Sequence, residues 1–217
     1  AGVVEGASMS THVNGDAGLP LPLGAIDVHT HAIGTRLPDL SGRPGRWPSI
    51  ELLDPRRAQL LLGGRPYREI DHRCWSAQRR LVDMDAEGIA AQVVSPIPVT
   101  LCHDQPADGA RILAAAQNDA FAALVAEAPG RLYALGAVPL QDPDAAVAEL
   151  SRCIDELGFL GVEIGTRVGT RELADPAFDE FFAAAAERSA LVLVHPVHTT
   201  LDPRLSKLGL EFGLGMP

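Results

Sequence analysis

Lysine is almost missing from this sequence. Of its 18 basic residues one is a lysine, Lys207, and the rest are arginines. Chemistry that needs a lysine amine (a Schiff base, a pyridoxal phosphate anchor, a carbamylated bridge between two metal ions) therefore has a single candidate. Cysteine is scarce too: Cys74, Cys102 and Cys153 lie far apart with no CxxC pair. That argues against a disulfide framework and a zinc–cysteine site, and it suits a reducing compartment, the cytoplasm. Positive charge is in deficit, with 18 Lys and Arg against 28 Asp and Glu, a net charge of −10. This argues against nucleic acid or an anionic membrane as partner through a broad basic face. No apolar run reaches the roughly 18 residues that cross a bilayer. No Gly-x-Gly-x-x-Gly follows the first strand-like run, which disfavours a dinucleotide-binding Rossmann domain.

What is present is core material: 47% of the 217 residues are hydrophobic, enough for one large domain or two small ones. Residues 1–22 are rich in Gly, Ala, Ser and Asn without apolar period and read as a mobile tail; 23–217 read as the folded part. The start at Ala1, without Met or a signal-peptide layout, suggests a processed start or a piece of a longer gene product. Leu23-Gly24-Ala25-Ile26-Asp27-Val28 is a short apolar run ending in His29-Thr30-His31. Residues 34–74 contain Pro38, Pro44, Pro48, Pro55 and Pro66 among many Gly and Arg. They read as a long, loop-like insertion with at most short helices.

From Ser76 the text is regular. Ala77, Leu81 and Met84 mark a helical face that Gly88 stops. Strand-like runs cover 89–95, 132–138, 160–164 and 191–195, with helical spacing between them. Asp142-Pro143 and Asp175-Pro176 both read as helix starts, an N-cap followed by proline at the first helical position. Residues 202–214 read as a further helix. Continuous apolar strands alternating with helices predict an α/β fold with a parallel sheet covered on both faces. Polar residues sit where the strands end: His29, His31, Ser95, Gln141, Glu163 and His195. In a barrel such ends converge on one site, whereas an open sheet spreads them along a line. The expected architecture is therefore a (β/α)8 TIM barrel, incomplete, with about the first five βα units, since a full barrel takes roughly 250 residues.

His29 and His31 are spaced i, i+2, which puts both side chains on one side of a strand. Together they can hold one metal ion, and His195, ending the fifth strand before Pro196, is the natural third ligand. Neutral imidazoles suit Zn²⁺, Fe²⁺ or Mn²⁺; one divalent ion, zinc by preference, is the expected cofactor. A bound water there would have its pKa lowered toward about 7. The fourth strand carries Glu163 and no lysine, so a mononuclear site is expected. His103 and His198 are weaker candidates for the pocket, and His12 and His72 read as surface residues. Cys102 is a poor nucleophile candidate because no base is apparent beside it.

The chain resembles the amidohydrolase-related family of the amidohydrolase superfamily, in particular its 2-amino-3-carboxymuconate-6-semialdehyde decarboxylase branch. The resemblance is carried by Ile26-Asp27-Val28-His29-Thr30-His31, Tyr67-Arg68-Glu69, Cys74-Trp75 and Met84-Asp85-Ala86-Glu87-Gly88. It continues through Gln92 to Ser95, Gly136 to Gln141, Glu156 to Thr166, Val194-His195-Pro196 and Gly215-Met216-Pro217. It implies a TIM-barrel metalloenzyme that removes a carboxylate as CO₂ from a small unsaturated or aromatic-derived acid. It implies His29, His31 and His195 as metal ligands, Arg68 as the grip on a substrate carboxylate, and a homodimeric parent. The family's catalytic histidine on strand six and metal-binding aspartate on strand eight have no counterpart here, so no catalytic residue is expected within this chain. Val197 stands where the branch has a tryptophan after His-Pro. Two other expectations stay open: metal-dependent hydrolysis of an amide or lactone with the same ligands, and a non-catalytic fragment with two open sheet edges.

Overall fold

The computed structural model describes residues 24–197 and Lys207. The tail expected over 1–22, the helix expected over 202–214 (Lys207 apart, which is helical), His12 and His198 lie outside the described residues. The chain opens with β1 (Ala25–Ala32) and three further strands, β2 (Pro48–Asp54), β3 (Arg57–Leu62) and β4 (Arg65–Asp71). Then follow α1 (Ala77–Glu87), β5 (Ile89–Pro96), α2 (Ala107–Ala126), β6 (Leu132–Ala137) and α3 (Pro143–Ser151). The remainder is β7 (Gly161–Gly165), the short pair β8 (Arg167–Val168) and β9 (Arg171–Glu172), α4 (Asp179–Glu187) and β10 (Leu191–His195). The main sheet has five strands in the order β1-β5-β6-β7-β10, and every neighbouring pair is parallel. This is the α/β half-barrel expected of the first five units.

Local chemistry sets the helix ends. Ser76 Oγ accepts from the Arg79 N–H at 3.2 Å, and Gly88, at φ 73°, closes α1 in the left-handed conformation that glycine adopts without a Cβ penalty. Asp142 caps α3 through the Ala145 N–H at 3.2 Å, with Pro143 at the first position. Asp175-Pro176 behaves differently. Its carboxylate accepts from Ala177, two residues on, at 3.0 Å, and that tight loop winds a 3₁₀ turn over Pro176–Phe178 before α4 begins at Asp179. The predicted helix is there, but it starts one turn late.

The central strands β6 and β7 are buried along their whole length, as the uninterrupted apolar text of β6 requires, and β7 carries Glu163 into the interior with it. The main core packs Phe121, Leu132, Leu150, Ile164, Phe178 and Phe181 between sheet and helices. Each large side chain here contributes about 1.5–3 kcal/mol by leaving water. The edge strands are barer, with Val28, Leu191 and Val194 exposed. At the β7–β10 seam a Cβ on Gly161 would stand 1.8 Å from the Leu191 carbonyl oxygen, so only glycine lets β10, and His195 with it, pair there.

The insertion corrects the sequence reading. Within the segment read as a loop, β2, β3 and β4 form an antiparallel sheet in that order. Gly63 and Gly64, at φ 56° and 74°, make the tight β3–β4 turn, the mirror-type turn that two consecutive positive φ values allow. Ala58 and Leu60 on the middle strand are buried. Pro48 and Pro66 sit on the two outer strands, where a missing N–H can be accommodated at an edge. Two of the five prolines that signalled a loop, Pro48 and Pro66, are thus strand-edge prolines, while Pro55 sits in the β2–β3 turn; the Gly63-Gly64 pair is the hairpin signal.

Candidate metal centre

β1 and β10 are the two edges of the main sheet. In a flat sheet, four spacings of about 4.8 Å would separate them by roughly 19 Å. Yet the ring of His195 lies 5.1 Å from that of His29 and 5.2 Å from that of His31, and the two rings of β1 are 5.1 Å apart. Only a strongly curled sheet does this. In an eight-stranded barrel four spacings are half the circumference, so the first and fifth strands face each other across the axis and their inward side chains meet. One imidazole nitrogen from each histidine lies within 4.8 Å of the others, and no other such group of His, Cys, Asp or Glu occurs among the described residues.

The electrostatics favour neutral ligands. Burial, followed by the neighbouring rings of His195 and His29, lowers His31 from 6.5 to about 4, against an upward pull from the Pro96 carbonyl. His195 is lowered by burial, then raised in part by the Pro196 carbonyl and lowered by His29. Its Nδ1 lies 3.0 Å from that carbonyl oxygen, which can only accept. Nδ1 therefore carries the proton, and Nε2 keeps its lone pair. His31 Nδ1 lies 3.2 Å from Ser95 Oγ and 3.8 Å from Glu163 Oε2, so the outer side of this ring also meets oxygen.

Glu163 is fully buried, and neither carboxyl oxygen has a hydrogen-bond partner of good geometry among the described residues. Burial pushes its carboxyl up from 4.5 to about 8, with the Ser95 hydroxyl opposing. It is not one of the three clustered ligands. His31 is opposite Ser95 on β5; followed through β6, the ladder places Glu163 two residues further along β7 than the level of Ser95, about the one-residue-per-strand stagger that a tilted, closing sheet requires.

Arg80 had no place in the sequence reading, and it matters here. It lies on the buried face of α1 with Ala77 and Met84, a spacing that the 3.6-residue period shows. Its guanidinium donates to Thr30 Oγ1 at 2.8 Å, to Gln92 Oε1 at 3.1 Å and to the His31 carbonyl. It thus ties α1, β1 and β5 together behind the two histidines. Gln92 Nε2 in turn donates to Asp27 Oδ2 at 3.3 Å, and Asp27 Oδ1 accepts from the His29 N–H at 3.1 Å.

The other predicted residues fall elsewhere. Arg68 is exposed on β4, its guanidinium carbon 5.9 Å from the centre of the Tyr67 ring, and it is not one of the three residues that meet. His103 is buried; its Nε2 lies 3.1 Å from the Val138 carbonyl oxygen and its Nδ1 accepts from the Gly165 N–H at 3.4 Å. That is a histidine with both nitrogens occupied in bracing strand ends. Gln141 donates to the carbonyls of Cys102 and Gln105, holding the loop after β5. Burial pushes the Cys102 thiol up to about 12, which leaves it protonated and unreactive at neutral pH.

Among known proteins, the amidohydrolase family model matches residues 26–211. The 2-amino-3-carboxymuconate-6-semialdehyde decarboxylase of Dictyostelium discoideum is 32% identical over 194 residues, covering 88% of this chain and 54% of that one. A 5-carboxyvanillate decarboxylase from Novosphingobium aromaticivorans, solved with bound manganese, is 30% identical with a TM-score of 0.56, over 63% of this chain and 40% of that one. The apo IDCase of Metarhizium anisopliae shares the fold at a TM-score of 0.70 and 24% identity, over 90% of this chain and 58% of that one. The chain thus matches between 40% and 58% of the length of these relatives, in keeping with five strands of an eight-stranded barrel. No helix among the described residues is long and apolar enough to cross a membrane. A family match that begins at Ile26, inside the His-x-His strand, and runs past His195 shows that this chain belongs to the amidohydrolase family.

Proposed function

We propose that the protein of which this chain forms part is a metal-dependent carboxy-lyase. It would remove CO₂ from an unsaturated or aromatic-derived acid, as an aminocarboxymuconate-semialdehyde decarboxylase-like enzyme. The observation that carries this reading is the meeting of three imidazoles from opposite edges of the sheet at ring separations of 5.1–5.2 Å. It occurs in a chain 32% identical to a decarboxylase. The residues fit a divalent ion: three nitrogen donors converge, and burial keeps His31 neutral down to about pH 4, the state a ligand needs. We assign His29, His31 and His195 to one ion and propose zinc, which three neutral imidazoles suit; manganese, bound in the solved relative, is the rival. Such an ion supplies a Lewis acid for an oxygen of the substrate and a water of lowered pKa.

The chain's own residues then do the following. Arg80 holds the His31 backbone, and Asp27 the His29 N–H, so the two β1 ligands keep their positions. Arg68 offers a planar, bidentate grip for a carboxylate, and its strand belongs to the insertion between β1 and α1. In decarboxylation the bond to the carboxylate breaks, its electron pair stays on the ring or alkene carbon, and a proton takes the place of CO₂. The family's proton-handling histidine and its further aspartate ligand belong to strands six and eight, beyond the five described. We therefore propose that this chain alone is inactive, that the parent is a homodimer, and that it works in the cytoplasm.

The test is a full-length version offered a panel of aromatic and muconate-type acids, with CO₂ release measured against hydrolysis of an amide and lactone panel. CO₂ release that falls at least 1,000-fold in His31→Ala, with loss of bound metal by elemental analysis, is the expected result. Hydrolysis without CO₂ release would replace the decarboxylase reading, and full metal content in a His29→Ala, His31→Ala variant would end the ligand assignment.

A further inference from the structure

The three rings do not all have the same outer support. His195 has a backbone carbonyl at Nδ1. His31 has the Pro96 carbonyl beside it as well, and in addition faces two side chains from strands deeper in the sheet: Ser95 Oγ at 3.2 Å on β5, and Glu163 Oε2 at 3.8 Å on β7. Both are buried. Glu163 is an anomaly as it stands, because a buried carboxyl without good hydrogen bonds is heavily penalised by desolvation. Both of its oxygens are shut from solvent, and it is not a member of the ligand cluster.

We propose that Ser95 and Glu163 are positioning residues that fix the tautomer of His31. His31 Nδ1–H donates to Ser95 Oγ, Ser95 Oγ–H donates to the Glu163 carboxyl, and His31 Nε2 is left with its lone pair aimed at the other two imidazoles. The proton accounting closes: the neutral ring has one N–H, the hydroxyl accepts once and donates once, and the carboxyl accepts through an oxygen that carries no proton, whether the group is ionised or neutral. A ligating histidine whose far nitrogen is held in this way keeps its orientation and gains basicity. The inference rests on the three-histidine reading and deepens it. It also gives a reason for a carboxylate on the fourth strand that neither binds the ion nor bridges two.

The experiment uses the whole chain, with ¹⁵N-histidine labelling and titration by Zn²⁺ and Co²⁺. In long-range ¹H–¹⁵N correlation spectra at pH 7.5 without metal, His31 is expected to be protonated at Nδ1, and in Ser95→Ala and Glu163→Leu to become a mixture of tautomers. Metal affinity is expected to fall 10- to 100-fold in Glu163→Leu and to stay within about 3-fold in Glu163→Gln, whose amide oxygen still accepts from Ser95. A structural role alone would not shift the tautomer, nor would it be rescued by glutamine. An Nε2-protonated His31 in the unmodified chain, or wild-type affinity in both Ser95→Ala and Glu163→Leu, would overturn the proposal. His195→Ala separates the two readings. If it abolishes metal binding while Glu163→Leu does not weaken it, the triad stands and the positioning role fails. If His195→Ala binds normally, the triad itself fails. Should Glu163→Leu not fold by circular dichroism, Ser95→Ala and Glu163→Gln carry the same comparison.

Discussion

The buried carboxyl of Glu163 should make the metal-free chain lose stability as the pH rises, and replacing it should remove that loss. The sign follows from proton binding. Folding raises this carboxyl from 4.5 to about 8, so between those values the folded state holds a proton that the unfolded state has released. Stability then falls with increasing pH, by up to about 1.4 kcal/mol per unit. From pH 6.5 to 8 the loss works out at about 1.6 kcal/mol, the slope easing as the folded-state value is approached. His31 has the opposite sign. Its value drops from 6.5 to about 4 on folding, so its contribution is present above 6.5 and lost as the pH falls through that window to about 4. Above pH 6.5 the His31 contribution is nearly complete, and Glu163 stands out. The assay is urea unfolding, followed by circular dichroism, of the chain and of Glu163→Gln with a chelator present. The stability of the variant relative to the parent should grow by about 1.5 kcal/mol between pH 6.5 and 8, a shift in Tm of about 3–6 °C for a domain of this size. Parallel pH profiles for the two proteins would refute the reasoning.

Arg80→Met should cost about 2–4 kcal/mol, since three acceptors (Thr30 Oγ1, Gln92 Oε1 and the His31 carbonyl) lose a charged donor; a urea midpoint unchanged from the parent would count against the clamp. Asn118→Ala should cost about 3 kcal/mol, because this buried amide closes two bonds with the Ala137 backbone at 2.9 and 2.7 Å and one to Glu149; equilibrium unfolding measures it. With His31 neutral down to about pH 4, protonation of that ligand should not release a bound ion at pH 5.5, and equilibrium dialysis of the unmodified chain at pH 7.5 and 5.5 measures whether the metal is retained. Gly161→Ala should part β10 from β7, because its Cβ would meet the Leu191 carbonyl oxygen at 1.8 Å, and metal affinity should fall with it.

The sequence by itself determined the periodic parts of this molecule. Apolar runs marked β5, β6, β7 and β10 as strands of a parallel sheet, though not which of them lie at its edge, and cap chemistry at Ser76, Gly88 and Asp142 set the helix ends to within a residue. The His29-x-His31 pair was legible because alternation in a strand is local. Tertiary structure alone decided the rest. His195 reaches the first two histidines, 164 positions further along than His31, only because the sheet curls through half a circle, a property of summed strand twist that no local pattern records. The hairpin sheet of the insertion was hidden by prolines whose tolerance depends on lying at an edge. The clamp by Arg80 and the placing of Ser95 and Glu163 beside His31 bring together residues on separate elements, and which polar groups share a buried space is settled by packing, where an unpaired charge is most costly.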